Sequence, residues 1–174
     1  MDFFEAVEKR YSHKTSFLAE GVPLADLECI ARTGLAAPSG ANRQSVRLII
    51  LQNRDDIADL CAISPTIGLE TVPAAIAVLT DSRTYPGKGM NFEMEDYSAA
   101  MENMLLAAVA LGYVSLWLDS PFFDQQKQDA AKKVLGVPDE MHLRAVLPVG
   151  LPDGPGTRRE KLPFNERVSY GRYS

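Results

Sequence analysis

The sequence predicts one domain in which helices and strands alternate. Three observations carry this expectation. Four compact apolar runs of strand type, at 46–51, 74–80, 113–118 and 143–149, alternate with stretches of helical periodicity. The 174 residues are 46% hydrophobic and 24% charged, ordinary for a globular domain and enough chain to bury a self-sufficient core. No repeat, low-complexity tract or linker divides residues 1–174.

The elements follow in order. Residues 2–9 set Phe3, Phe4 and Val7 beside Glu5, Glu8 and Lys9, a short helix with Asp2 as N-cap. Pro23 opens a second helix with Leu24, Leu27, Ile30 and Ala31 on one face, and Gly34 is expected to close it. The strand 46–51 leads to a helix over 55–62 that Ser64-Pro65 ends, and 74–80 is a second strand. The longest helix starts at Phe92 or Asp96, runs to Leu111 and stops at Gly112. Its apolar positions, among them Ala100, Met101, Met104, Leu105, Ala108 and Leu111, cover most of its girth, so it is expected to pack on more than one side. The strand 113–118, a helix over 124–135 ended by Gly136, and the strand 143–149 complete the pattern. Residues 151–174 have little periodicity, but Leu162, Phe164, Val168, Tyr170 and Tyr173 predict a tail draped over some surface.

Composition narrows the function. Eighteen Lys and Arg against 23 Asp and Glu give a net charge of −5, which argues against non-specific nucleic-acid binding. No run approaches the ~20 apolar residues of a membrane span, and the acidic start Met1-Asp2-Phe3-Phe4-Glu5 does not suit a secretory signal. Cys29 and Cys61 are the only cysteines, with no disulfide framework, so the expected compartment is the cytoplasm. Two cysteines and two histidines scattered singly argue against a metal site.

Nucleophile, P-loop and dinucleotide motifs are absent from the sequence. His13 and His142 read as surface or capped histidines, and Cys29 as a core residue on the apolar side of its helix. Asp96 and Glu102, six apart, do not share a helix face and read as solvated or structural carboxylates. What remains is cationic. Arg10, Ser12 and Lys14 alternate, so in an extended segment they form one edge; Arg159 and Lys161 repeat that spacing in the tail. Brought together, the two clusters suit a phosphate dianion; apart, each is a solvated basic loop. Between the second helix and first strand, Ala37-Pro38-Ser39-Gly40-Ala41-Asn42-Arg43-Gln44 reads as a sharp turn that leaves backbone N–H groups free and adds the amides of Asn42 and Gln44.

In this combination the sequence resembles the FMN-dependent nitroreductase family along its whole length. Arg10-x-Ser12-x-Lys14 resembles the family's N-terminal phosphate and flavin motif, and Pro38-Ser39-Gly40-x-Asn42-x-Gln44 its Pro-Ser-(Ser/Gly)-x-Asn-x-Gln loop. Asp96 with Asn103-Met104-Leu105-Leu106-Ala107-Ala108 and Leu111-Gly112 resembles the central dimer helix, and Arg159-x-Lys161-Leu162-Pro163 the basic pair of the tail. The resemblance implies an α+β, three-layer α/β/α sandwich with a mainly antiparallel four-stranded sheet. It implies an intertwined homodimer with two FMN at the subunit interface and the tail reaching onto the partner. By the same resemblance Arg10, Ser12, Arg159 and Lys161 hold the FMN phosphate, and Lys14 lies near the pyrimidine edge of the ring. Pro38, Ser39, Gly40 and Asn42 contact the ring from the partner, and the backbone of Leu118, Asp119 and Ser120 lies at its N5 edge; Tyr11 and Gln44 complete the cofactor-binding set.

The activity implied is ping-pong: NAD(P)H gives hydride to flavin N5 and leaves, and a nitroaromatic, quinone or other small acceptor takes its place. The flavin carries that chemistry, in keeping with the absent acid–base motifs. There are departures. Gln44 is followed by Ser45-Val46 where the family has Pro-Trp, residues 62–73 lack the family's flavin-contacting Asn and Lys, and the stretch 85–92 is short. That stretch reads equally as a lid or a solvent loop. Three other readings stay open: a flavin storage or sensing protein with little turnover, a specialised reaction such as reductive dehalogenation or flavin breakdown, and a helical interaction protein without cofactor.

Overall fold

The computed structural model describes residues 1–85 and 91–173. Along them run α1 (Phe3–Lys9), α2 (Leu24–Leu35), β1 (Val46–Leu51), α3 (Arg54–Ile63), α4 (Ile67–Glu70), β2 (Ala74–Asp81), α5 (Glu93–Ala110), β3 (Val114–Ser115), α6 (Gln125–Val134) and β4 (Met141–Gly150). The Asp2 side chain accepts the Glu5 N–H as the expected N-cap, and Asn53 and Asp124 cap α3 and α6 in the same way.

The four strands form one antiparallel sheet in the order β1-β2-β4-β3. β2 is buried along its whole length, so its alternate side chains face two cores. Ala74, Ile76 and Val78 pack with Leu27 and Ile30 of α2 and Met101, Met104 and Leu105 of α5. Ala75, Ala77 and Leu79 pack with Ile57 and Leu60 of α3 and with Ala131 of α6. Helices therefore cover both faces, an α+β arrangement of three layers. The central helix is α5, with Tyr97, Ala100, Met101, Met104, Leu105, Ala108 and Val109 all buried.

Four expectations are corrected. The third strand is shorter than 113–118. Val114 and Ser115 pair with Gly150 and Val149, and the same register resumes only at Leu118↔Val146. Leu116 would face Pro148, which has no N–H to give, and the ladder breaks there. Gly34 does not close α2 but lies inside it, where a Cβ would come within 2.6 Å of Met104 Cγ; its lack of a side chain lets α2 and α5 approach. Cys29 is exposed rather than core, because the buried stripe of α2 runs through Leu27, Ile30, Ala31 and Gly34. The short helix α4, between Ser64-Pro65 and β2, has no counterpart in the expected pattern.

One irregularity positions charge. The β2–β4 register shifts between Val78 and Leu79, whose partners are Ala145 and Leu143, so Arg144 is the extra residue of a β-bulge. The bulge turns its guanidinium onto Glu93 at the start of α5.

Candidate functional site

The site begins where α1 ends. Arg10 leaves the helix with extended backbone, and the segment beyond it runs beside β3, with Ser12 bridged to Ser115 in parallel and the His13 N–H on the Ser115 carbonyl. Period-two alternation then sends His13 inward, and Arg10, Ser12 and Lys14 into a cleft. His13 is fully buried, not a surface residue. Its Nε2–H donates to the Ser16 carbonyl at 2.9 Å, and its ring packs edge-on against Phe17 with centroids 4.7 Å apart. That anchor holds the segment in its extended shape. Tyr11 lies against it, its hydroxyl pKa raised by burial.

The tail supplies the opposite wall. Gly156 passes over Tyr11 so closely that a Cβ would sit 2.0 Å from the ring, a place only glycine can occupy. Gly156, Thr157, Arg158, Arg159 and Lys161 then face Arg10, Tyr11, Ser12, Lys14 and Thr15 across a cavity of about 330 Å3. Five cations line it: Arg10, Lys14, Arg158, Arg159 and Lys161. Among the described residues only Arg10 of the five makes an ion pair within 4 Å, with Glu102 at 3.8 Å. Such a cluster is self-repelling unless an anion occupies it. A phosphate dianion, with oxygens for several charge-assisted bonds, fits this donor set.

The loop 38–44 stands apart from that cleft on the same chain. Pro38, Ser39 and Gln44 line a separate, largely apolar groove of about 450 Å3 with Ala31, Leu35, Leu48 and Ile50, and Gly40 and Asn42 line neither. Four of the backbone donors expected to be free are spent, three within the loop and one on Asp96. Asn42 N–H donates to the Ser39 carbonyl, Arg43 N–H to the Gly40 carbonyl, Gln44 N–H to Ser39 Oγ and Gly40 N–H to Asp96 Oδ1. Forming these bonds puts Ala41, Asn42 and Gln44 in the left-handed region, at φ of 50°, 54° and 51°. Each costs about 1 kcal/mol for a side chain larger than glycine's.

Leu118 is buried, and its N–H and carbonyl are both bonded to Val146, so its N–H is not free for a ligand. The Asp119 carbonyl accepts the Phe122 N–H, which leaves the Asp119 and Ser120 amides as that segment's candidates. Of the stretch 85–92, residues 86–90 lie outside the described residues, so the lid expectation falls there.

Two buried carboxylates belong to α5: Asp96, read from the sequence as solvated or structural, and Glu93, which that reading missed. Asp96, 2% exposed, accepts from Gly40 N–H, Ser45 Oγ–H and Tyr85 Oη–H at 2.7, 2.6 and 2.7 Å. It is structural, whereas its supposed companion Glu102 is half solvated and lies toward Arg10. Burial and the bond to Asp96 push the Tyr85 hydroxyl up to about 12. Glu93, 1% exposed, accepts from Thr80, Asn91, His142 and Arg144. Burial pushes its carboxyl up, but those donors outweigh it and hold it at about 2. His142 is thereby a capped histidine. A signal was present in the spacing: 93, 96, 97, 100, 101 and 104 form one helical face, and acids on a face otherwise apolar must find donors.

Comparison with known proteins agrees with this architecture. A family model described as Nitroreductase family matches residues 7–71 and 67–151. Over 131 residues, 73% of this chain and 72% of the other, the sequence is 32% identical to an Archaeoglobus fulgidus protein provisionally named NADH dehydrogenase/NAD(P)H nitroreductase. A crystal structure from Parabacteroides distasonis, provisionally given the same name, is similar over 98% of both chains, with TM-score 0.86 and 25% identity. A Desulfovibrio desulfuricans structure, provisionally named a nitroreductase and solved in complex with FMN, shares the fold over 100% of this chain and 99% of its own, with TM-score 0.84 and 22% identity. Motif order, sheet topology and these matches lead to one conclusion: the chain belongs to the nitroreductase family.

Proposed function

We propose that this protein is an FMN-dependent oxidoreductase that uses NAD(P)H to reduce a small acceptor, a nitroaromatic or quinone, and that it works as a homodimer. The carrying observation is the cleft of five cations, of which only Arg10 makes an ion pair with a carboxylate among the described residues, in a chain whose net charge is −5. Family membership and the FMN complex of a fold relative support the reading. Arg10, Ser12, Arg159 and Lys161 would hold the phosphate. FMN, when bound, supplies two-electron hydride chemistry that no side chain of this protein could perform. Lys14, in the same cleft, would place positive charge where negative charge accumulates on reduction. Tyr11 and the buried His13 keep that edge fixed, so the cations need little reorganisation on binding.

The dimer reading rests on unpartnered apolar surface. Leu162, Phe164, Tyr170 and Tyr173 of the tail are 66, 68, 86 and 100% exposed on the single chain, as are Phe3 and Phe4 at 63 and 76%. A second copy would cover them, bringing its Pro38, Ser39, Gly40, Asn42 and Gln44 to a cleft they do not reach on their own chain. Among the described residues no helix is long and apolar enough to cross a membrane, and the free thiols of Cys29 and Cys61 suit the cytoplasm.

Anaerobic mixing of the FMN-loaded protein with NADH or NADPH tests the activity. The expected result is loss of the oxidised flavin absorbance, followed by its return when a quinone or nitroaromatic is added. Flavin that is bound but reduced by neither nicotinamide would overturn the oxidoreductase reading in favour of a flavin carrier.

A further inference from the structure

We propose that Asp96 is a positioning residue that clamps the loop 38–45 into the shape that meets the flavin ring of the dimer, an inference resting on the function proposed above. The two oxygens of this buried carboxylate take the two ends of the strained stretch. Oδ1 accepts the Gly40 N–H, and Oδ2 accepts the Ser45 hydroxyl. Between these ends lie Ala41, Asn42 and Gln44, the only non-glycine residues with positive φ among the described ones. A loop in three left-handed conformations relaxes unless its ends are pinned.

Other features point the same way. No cation pairs with Asp96 among the described residues; its charge is met by one amide and two hydroxyls, so each bond is charge-assisted and directional. Tyr85 adds the third, its hydroxyl also within 3.1 Å of the Gly40 carbonyl. From below, Phe92 leaves no room for a Cβ at Gly40, which would lie 2.4 Å from the ring. The start of α5 thus holds the loop from two positions one turn apart, the capping Phe92 and Asp96. Asn42 and Gln44 stay exposed. Ser45 belongs to the clamp.

Asp96→Asn keeps the shape but loses the charge and one acceptor. Two readouts separate the clamp from the cofactor reading. In the flavin-free full-length protein, tryptic cleavage after the exposed Arg43 reports loop order; the variant is expected to be cut at least about tenfold faster than the parent, with unchanged far-ultraviolet circular dichroism. In the loaded protein, FMN and riboflavin should weaken by one common factor, about tenfold, because a ring contact is shared by both ligands. The visible circular dichroism of the bound flavin should shift as well. Tyr85→Phe and Ser45→Ala, each removing one donor, should move both readouts in the same direction by less, and they keep the test valid if Asp96→Asn does not fold. Cleavage at the parent rate overturns the clamp. Faster cleavage with unaltered affinity for both flavins overturns the positioning role. If the parent binds no flavin, the function proposed above fails and the positioning role with it, while the cleavage rates still decide the clamp itself.

Discussion

Glu93→Gln is the perturbation whose consequence can be worked furthest from the structure. The carboxylate is 1% exposed and receives Thr80 Oγ1–H at 2.6 Å, Asn91 Nδ2–H at 2.8 Å, His142 Nδ1 at 2.9 Å and the Arg144 guanidinium. Burial alone would raise its pKa; the four donors bring it from 4.5 to about 2. A folded-state pKa below the unfolded one means stability that is present above pH 4.5 and lost as the pH falls toward 2. At ~1.4 kcal/mol per pH unit the gap corresponds to about 3 kcal/mol. Removing the charge also leaves Arg144, half-buried by its bulge, without its counter-ion. Urea unfolding at pH 7 should therefore show the variant about 3 kcal/mol less stable, and a series down to pH 2.5 should show the two proteins converging. Curves that stay parallel through that range would mean that Glu93 titrates alike in the folded and unfolded chain, and the reasoning from its donors would be wrong.

Three further outcomes are expected. Lys14→Met should lower the flavin midpoint potential by about 30 mV, the two-electron equivalent of ~1.4 kcal/mol, read by equilibration with redox dyes; an unmoved potential would put Lys14 on the phosphate. Gly34→Ala should cost about 1–2 kcal/mol in thermal or urea unfolding, since its Cβ would lie 2.6 Å from Met104 Cγ and 3.3 Å from the Ala100 carbonyl; a gain in stability would show that α2 and α5 have slack. Gly156→Ala, with a Cβ 2.0 Å from the Tyr11 ring, should displace the tail wall of the cleft and weaken FMN, seen by fluorescence quenching, with little effect on riboflavin.

Period two made the alternation of Arg10, Ser12 and Lys14 legible, because a local rule needs no knowledge of what lies across from the segment. The capped start of α1 and the stop of α5 at Gly112 were legible for the same reason. Features that depend on a distant residue were not. The end of the β3 ladder is set by Pro148, 32 residues from Leu116, and can be read only once the register is known. Gly34 looked like a helix stop because glycine is common there; its partner Met104 gives it another use. The N–H groups of Asn42, Arg43 and Gln44 looked free because their acceptors, Ser39 Oγ among them, come into place only in the folded turn. Asp96 reaches donors at residues 40 and 45, and Glu93 reaches Arg144, pairs 56 and 51 apart in the chain. Two acids on an apolar helix face announced a need for donors without naming them.

The central claim is that cations from both ends of the chain hold a phosphate-bearing flavin, and the ratio of FMN to riboflavin affinity tests it most directly. It should be measured by fluorescence quenching in the parent and in Arg159→Ala/Lys161→Ala. Two charge-assisted contacts at about 1.5 kcal/mol each predict that the double variant loses roughly a hundredfold in FMN affinity. Riboflavin, without the phosphate, should bind both proteins alike. Equal affinities for FMN in the two proteins, or a parent that does not distinguish FMN from riboflavin, would contradict the account.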